Sequence, residues 1–205
     1  MLTTYFVKGA IDCPALFPFG SLEDIRTNLH INIFPETSVV AMDAGQKRLT
    51  LSNNVTQQYD SILISTGASA FMPPIAGIDL LGVFKMRTAR DAAALKQELD
   101  KGRAKIGLVI GASWVGIKVI EDFDARGMKC ILVDGANWIF PTATFEETAQ
   151  RIHKDLRQKG VELAFGQMLA RIEREPDGRL SAVMQSGSRF TADIIAVCIG
   201  IRANI

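Results

Sequence analysis

Two glycines five positions apart carry the first chemistry visible in this chain. In Gly111-Ala112-Ser113-Trp114-Val115-Gly116 an apolar run, Leu108-Val109-Ile110, leads into a tight turn, and a helical pattern follows. A turn of this kind binds a pyrophosphate because the helix N-terminus presents unpaired N–H groups with a partial positive charge. Small residues let the phosphate approach the backbone. In that reading Gly111 makes the tight turn and Gly116 lets the helix pack closely on the strand. The dinucleotide fingerprint expects glycine where Ser113 stands. Its hydroxymethyl group is small and has a proton to donate, so the match is weakened without being lost. Asp134 ends the next apolar run, 23 positions after Gly111. That is close to the ~20 expected of a carboxylate that accepts hydrogen bonds from an adenosine ribose. The competing reading is a doubly wound domain with a tight turn and a surface aspartate.

No other constellation points to chemistry. Cys13, Cys130 and Cys198 are far apart, and the last two sit in apolar runs where free cysteine acts as a small core residue. His30 and His153 have no ligand-type neighbour at metal spacing, so no metal site is expected. No side chain is assigned as a catalytic acid, base or nucleophile.

The elements that must position the turn follow from periodicity. Ile106–Ile110 reads as a buried strand, and Val115, Val119, Ile120 and Phe123 recur at helical spacing until Gly127. Lys129–Val133 is the next strand. A turn-rich loop, Gly135–Thr144, leads to a helix over Phe145–Gln158, ended by Gly160. Short strands are expected at Val161–Ala164, Met168–Glu173 and Leu180–Met184, and a last one at Ile194–Ile199.

The segment "ADIIAVCIG" (Ala192–Gly200) has a counterpart in "YDSILISTG" (Tyr59–Gly67): an aspartate, then an apolar strand closed by glycine. A strand pair precedes each, Val39–Met42 with Arg48–Leu51 in the first copy, which reads as an internal structural repeat. The interval from Gly111 to Gly200, counted back from Gly67, falls upstream of residue 1. The chain therefore reads as an internal piece of a longer protein.

Composition excludes several classes. Lys plus Arg number 23 against 22 Asp plus Glu, a net charge of +1, which leaves no footprint for nucleic acid. No apolar run has the length of a membrane span, and "MLTTYFVKGA" lacks the features of a signal peptide. No nucleic-acid or membrane partner is expected, and a cytoplasmic location is the default.

The chain resembles the middle of a flavin-dependent pyridine nucleotide-disulfide oxidoreductase, of the branch with NADH oxidases, rubredoxin and ferredoxin reductases and the nitrite reductase flavoprotein. The residues that carry the likeness are "YDSILISTGASAFMPPIAGID" (Tyr59–Asp79), "VFKMRTARDAAAL" (Val83–Leu95), the Gly111–Gly116 turn, Asp134 and "CIGIRAN" (Cys198–Asn204). The resemblance implies an α/β fold with three layers, a parallel sheet joined to an antiparallel β-meander. Residues 1–83 would be part of an FAD-binding domain without its N-terminal glycine-rich turn, and residues 84–205 a Rossmann-like NAD(P)-binding domain of the same topology. It further implies NADH binding at Gly111, Ser113, Val115, Gly116 and Asp134, with Ile199 and Gly200 bordering the nicotinamide. Val39 and Val40 would lie near the flavin adenine, and Thr66, Gly67 and Ala68 near the FAD phosphates or ribityl chain. Hydride would pass from NADH to FAD, and electrons then to a carrier protein or a small-molecule acceptor. Met1 falls where disulfide-reducing relatives carry a redox cysteine, which implies electron transfer without an active-site thiol. Two departures stand out: Lys118 replaces a usual glutamate, and Ala203 a usual proline. The alternative is a stand-alone nucleotide-binding or redox-sensing module without catalysis, with the piece itself inactive.

Overall fold

The computed structural model describes residues 2–17 and 20–205, so the position of Met1 lies outside the described residues. The chain forms two compact units, one of residues up to Leu16 with Ala68–Asn204, the other of Phe17–Gly67 with Ile205. This division differs from the expected cut after residue 83. Helix α1 (Leu2–Lys8) packs against helices of the larger unit and buries Val7 there.

The smaller unit holds helix α2 (Leu22–Leu29) and strands β1 (Val39–Asp43), β2 (Arg48–Leu51) and β3 (Thr56–Gln58). A capping box starts α2, with Ser21 and Asp24 exchanging side-chain and backbone hydrogen bonds. The three strands form an antiparallel meander in the order β1-β2-β3. The strand expected within Tyr59–Gly67 does not form. Ile62, Leu63 and Ile64 are exposed, Leu63 at 90%. A strand exists only as a ladder with a neighbour, and no described strand pairs with this run.

In the larger unit the chain continues through β4 (Ala68–Ala70), β5 (Val83–Lys85), α3 (Ala89–Asp100), β6 (Ile106–Ile110), α4 (Trp114–Asp124) and β7 (Lys129–Val133). Helix α5 (Glu146–Gln158), β8 (Glu162–Ala164), β9 (Leu169–Arg174), β10 (Leu180–Met184), β11 (Arg189–Ala192), β12 (Ile194–Val197) and β13 (Ile201–Ala203) complete it. Five strands make a parallel sheet in the order β5-β12-β6-β7-β8. The inner strands are apolar, apart from the exposed Lys129 that starts β7, because both faces are covered. Val109, Leu132 and Ala196 face a core shared with the helices, which holds Leu95, Val119 and Phe123. Leu108, Ile131 and Ile195 face the meander β9–β10–β11, which contributes Ile172, Leu180 and Met184. Helices, parallel sheet and meander are the three layers of an α/β fold.

Both copies of the repeat thus contain a three-stranded antiparallel meander, but only the second closes on a strand. There Asp193 has a visible task. Its Oδ2 accepts from the N–H groups of Lys105 and Ile106 at 2.7 and 2.9 Å, which ties the start of β12 to the start of β6. The strand expected to be the last, β12, ends two residues earlier than expected, at Val197, and a further strand, β13, follows beyond Gly200, whose φ is 120°. No helix among the described residues is long and apolar enough to cross a membrane.

Candidate functional site

The site is built where β6 and β12 end, at the same edge of the parallel sheet. The chain leaves β6 at Gly111, whose N–H donates to the carbonyl of Val133 at 2.8 Å and whose φ is 111°. That backbone conformation suits glycine, and a Cβ there would meet the carbonyl of Cys198. A Cβ on Gly116 would meet the carbonyl of Gly111, so the first turn of α4 lies directly on the β6–α4 turn. The geometry thus explains both glycines as the sequence reading placed them.

Ser113 does more than fill a glycine position. It is the N-cap of α4, with its Oγ accepting from the N–H of Gly116 at 3.2 Å and donating to the carbonyl of Cys198 at 2.8 Å. The proton that the sequence reading noted on this hydroxyl is engaged with the carbonyl just past the end of β12. The donors left for an anion are backbone N–H groups of the first helical turn, Trp114 and Val115, which no intrahelical carbonyl serves. The side chain of Val115 packs against the helix-side core instead of the cleft, so any contribution from this position is through its peptide N–H.

Asp134 also has a structural task. Its Oδ2 accepts from the N–H of Ala112 at 2.6 Å and its Oδ1 from the N–H of Ala136 at 2.7 Å. The carboxylate clamps the glycine turn to the end of β7, and each oxygen keeps lone-pair capacity for a further donor.

These pieces border an open cleft of about 300 Å³, with Gly111, Ser113, Asp134, Ile199 and Gly200 on its wall. The structure adds residues that the sequence did not single out: Trp114, Phe140 and Pro141 line the same cleft. Trp114 is 60% exposed, and its ring stacks on Phe140 with centroids 4.0 Å apart and planes 16° apart. Phe140 has φ 52°, rare for a bulky residue, and its N–H donates to the carbonyl of Ala112 at 3.2 Å. A clue was present in the aromatic at 114 inside the fingerprint and the Phe140-Pro141 pair beyond Asp134, but the loop path that joins them is tertiary.

The positions expected around a flavin do not line this cleft. Val39 and Val40 are exposed on β1, Thr66 and Gly67 lie in an exposed run of the smaller unit outside any strand, and Ala68 starts β4 in the larger one. Lys118 is not on the cleft wall. Its ammonium pairs with Glu121 at 2.8 Å and lies 5.9 Å from the centre of the Tyr5 ring. Burial pushes the Cys198 thiol up to about 12 and Cys130 up to about 11, so neither is a thiolate near neutrality.

The chain is 28% identical over 205 residues to an NADH oxidase of Methanocaldococcus jannaschii, which covers 98% of the chain and 45% of that protein. It is 28% identical over 179 residues to a nitric oxide reductase FlRd-NAD(+) reductase of Escherichia coli O7:K1, covering 87% of the chain and 46% of the relative. The chain thus spans a little under half the length of these relatives. A water-forming NADH oxidase from Lactobacillus brevis, solved bound to NADH, superposes with a TM-score of 0.89 at 26% identity over 98% of this chain and 45% of that one. The family model for pyridine nucleotide-disulphide oxidoreductases matches residues 6–205, and the chain belongs to that family.

Proposed function

We propose that the cleft at the β6–α4 turn binds NADH, and that the chain is the nicotinamide-nucleotide-binding part of an FAD-dependent NAD(P)H oxidoreductase. The observation that supports this most strongly is the joint placement of a turn with no room for a Cβ, a helix N-terminus and an acidic strand end on one cleft. A pyrophosphate fits against the backbone between Gly111 and Gly116, where the α4 dipole favours negative charge. Asp134 accepts from the adenosine ribose, and Ile199 and Gly200 border the nicotinamide. In the full protein the nicotinamide supplies a hydride and the flavin accepts it. The chain's own residues bind, orient and shield, and no side chain of the cleft acts as acid, base or nucleophile.

On this reading residues 84–205 form the NAD(P) domain. Residues 1–83 contribute to the FAD domain, with Val39, Val40, Thr66, Gly67 and Ala68 beside the flavin nucleotide. Electrons leave to a carrier protein or a small acceptor, in line with the relative that is named as a reductase of another redox component. The exposure of the flavin-directed residues also favours a narrower reading, in which this chain alone binds nucleotide without turning over.

Cofactor titration tests the assignment. Asp134 stands where a 2′-phosphate would approach, and Gly135-Ala136-Asn137 after it provide no arginine. NADH is expected to bind at least about tenfold more tightly than NADPH, or about 1.4 kcal/mol. Equal affinities, or tighter NADPH, would remove Asp134 from this role.

A further inference from the structure

The loop that brings Phe140 to the cleft is held from behind by a buried histidine. His153 lies on α5, is 2% exposed, and stacks on Phe165 with ring centroids 4.4 Å apart. Its Nε2 accepts the N–H of Ile139 at 3.2 Å, so that nitrogen carries no proton and the ring is uncharged. Ile139 is itself fully buried, and the next residue is Phe140, with its left-handed backbone, its stack on Trp114 and its N–H on Ala112. A short path of contacts therefore joins His153 to the wall of the cleft. The loop is also tied at its ends, where the Ala136 carbonyl accepts from the Gly166 N–H at 2.8 Å and the Phe145 carbonyl from the Ala149 N–H at 3.0 Å, whereas the bonds from Ala143, Thr144 and the Thr144 hydroxyl close on Ile139 and Phe140 from within and join neither to α5.

We propose that His153 is a positioning residue for the cleft: its uncharged ring latches Ile139 and thereby seats Phe140, and protonation of that ring releases the loop and weakens nucleotide binding.

An imidazolium has two N–H donors and no acceptor, so on protonation Nε2 and the Ile139 N–H face each other as two donors. Among the described residues, β8, which packs against α5, carries one ionisable side chain, Glu162, and it is paired with Lys129 at 3.0 Å. Loop residues 135–145 and the segment 164–168 around Phe165 carry no ionisable side chain, and on α5 the charged neighbour is the cation Arg157. Burial, and then Arg157, hold the ring below the ordinary histidine range. Loop seating is therefore complete above about pH 6.5 and is lost as the pH falls below it. The effect on binding rests on the NADH reading above; the latch itself does not.

The test uses the chain and His153→Gln, whose amide oxygen accepts the Ile139 N–H without titrating. Amide hydrogen exchange at Ile139 is measured without ligand at pH 8 and pH 5, as protection relative to the unfolded chain at each pH. The proposal expects protection to fall at pH 5 in the parent and to stay level in His153→Gln. NADH affinity is then titrated at both pH values. It is expected to weaken about threefold or more at pH 5 in the parent, the worth of roughly one hydrogen bond, and to change less in the variant. Protection indifferent to pH, or the same loss in His153→Gln, overturns the latch whether or not NADH binds. Failure of NADH to bind at pH 8 with the exchange response intact overturns the nucleotide reading and leaves the latch standing. Should His153→Gln fail to fold, the parent chain's Ile139 exchange profile alone decides: a midpoint below pH 6.5 supports the latch, and a flat profile overturns it.

Discussion

Replacing Asp122 with asparagine removes a charge that the fold has to bury. Asp122 lies on α4, is 2% exposed, and its Oδ2 has no hydrogen-bond partner among the described residues. The nearby Arg126 is engaged elsewhere, donating to the backbone carbonyls of Asp122 and Val7 at 3.1 and 2.7 Å. Burial pushes the carboxyl from 3.8 up to about 7, against the pull of Arg126 and Lys8. For an acid whose folded value is raised, the folded state holds the extra proton. Stability is therefore highest below pH 4 and falls as the pH rises from about 4 towards 7. A displacement of roughly 3 units at 1.36 kcal/mol each sets the full cost at about 4 kcal/mol above pH 7, with about 2 kcal/mol already present at pH 5. Asp122→Asn keeps the shape and loses the charge. Thermal or urea unfolding of both proteins at pH 4, 5, 6 and 8 is the assay. The variant is expected to gain little at pH 4 and at least about 2 kcal/mol at pH 8, which is a rise in Tm of roughly 4–8 °C for a chain of this size. An increment that does not change between pH 4 and 8, or a variant less stable than its parent at pH 8, would refute the reasoning.

Ser113→Ala removes an N-cap acceptor and the tie to Cys198, and about 1 kcal/mol of stability should go with the cap. Ser113→Gly, which restores the expected fingerprint, should lose only a few tenths of that; urea midpoints of the two variants compared with the parent decide it. The purified chain should be colourless, since Val39, Val40, Thr66 and Gly67 are exposed and ligand sites of this kind normally enclose most of their ligand. A visible flavin spectrum at stoichiometric occupancy would contradict that.

The sequence by itself determined what depends on neighbours a few residues away. Strands β6 and β7 and helix α4 fall where their apolar patterns place them, because the covered part of a strand buried on both faces must be apolar and a helix must carry one apolar face. The two glycines of the turn were equally legible, since a left-handed backbone and a contact without room for a Cβ both demand the absence of a side chain. Tertiary structure decided the rest. The run at Ile62–Ile64 and that at Ile194–Val197 share a pattern, yet only the second lies between β5 and β6 and becomes a strand. The Ser113 proton goes to Cys198, a residue far along the chain, and Asp134 turns back to clamp Ala112. Phe140 reaches the cleft because a buried histidine on α5 and the ring of Trp114 hold a loop that has no periodicity of its own. A hydrogen bond or a ladder is a property of two segments at once, and one segment's composition does not name its partner.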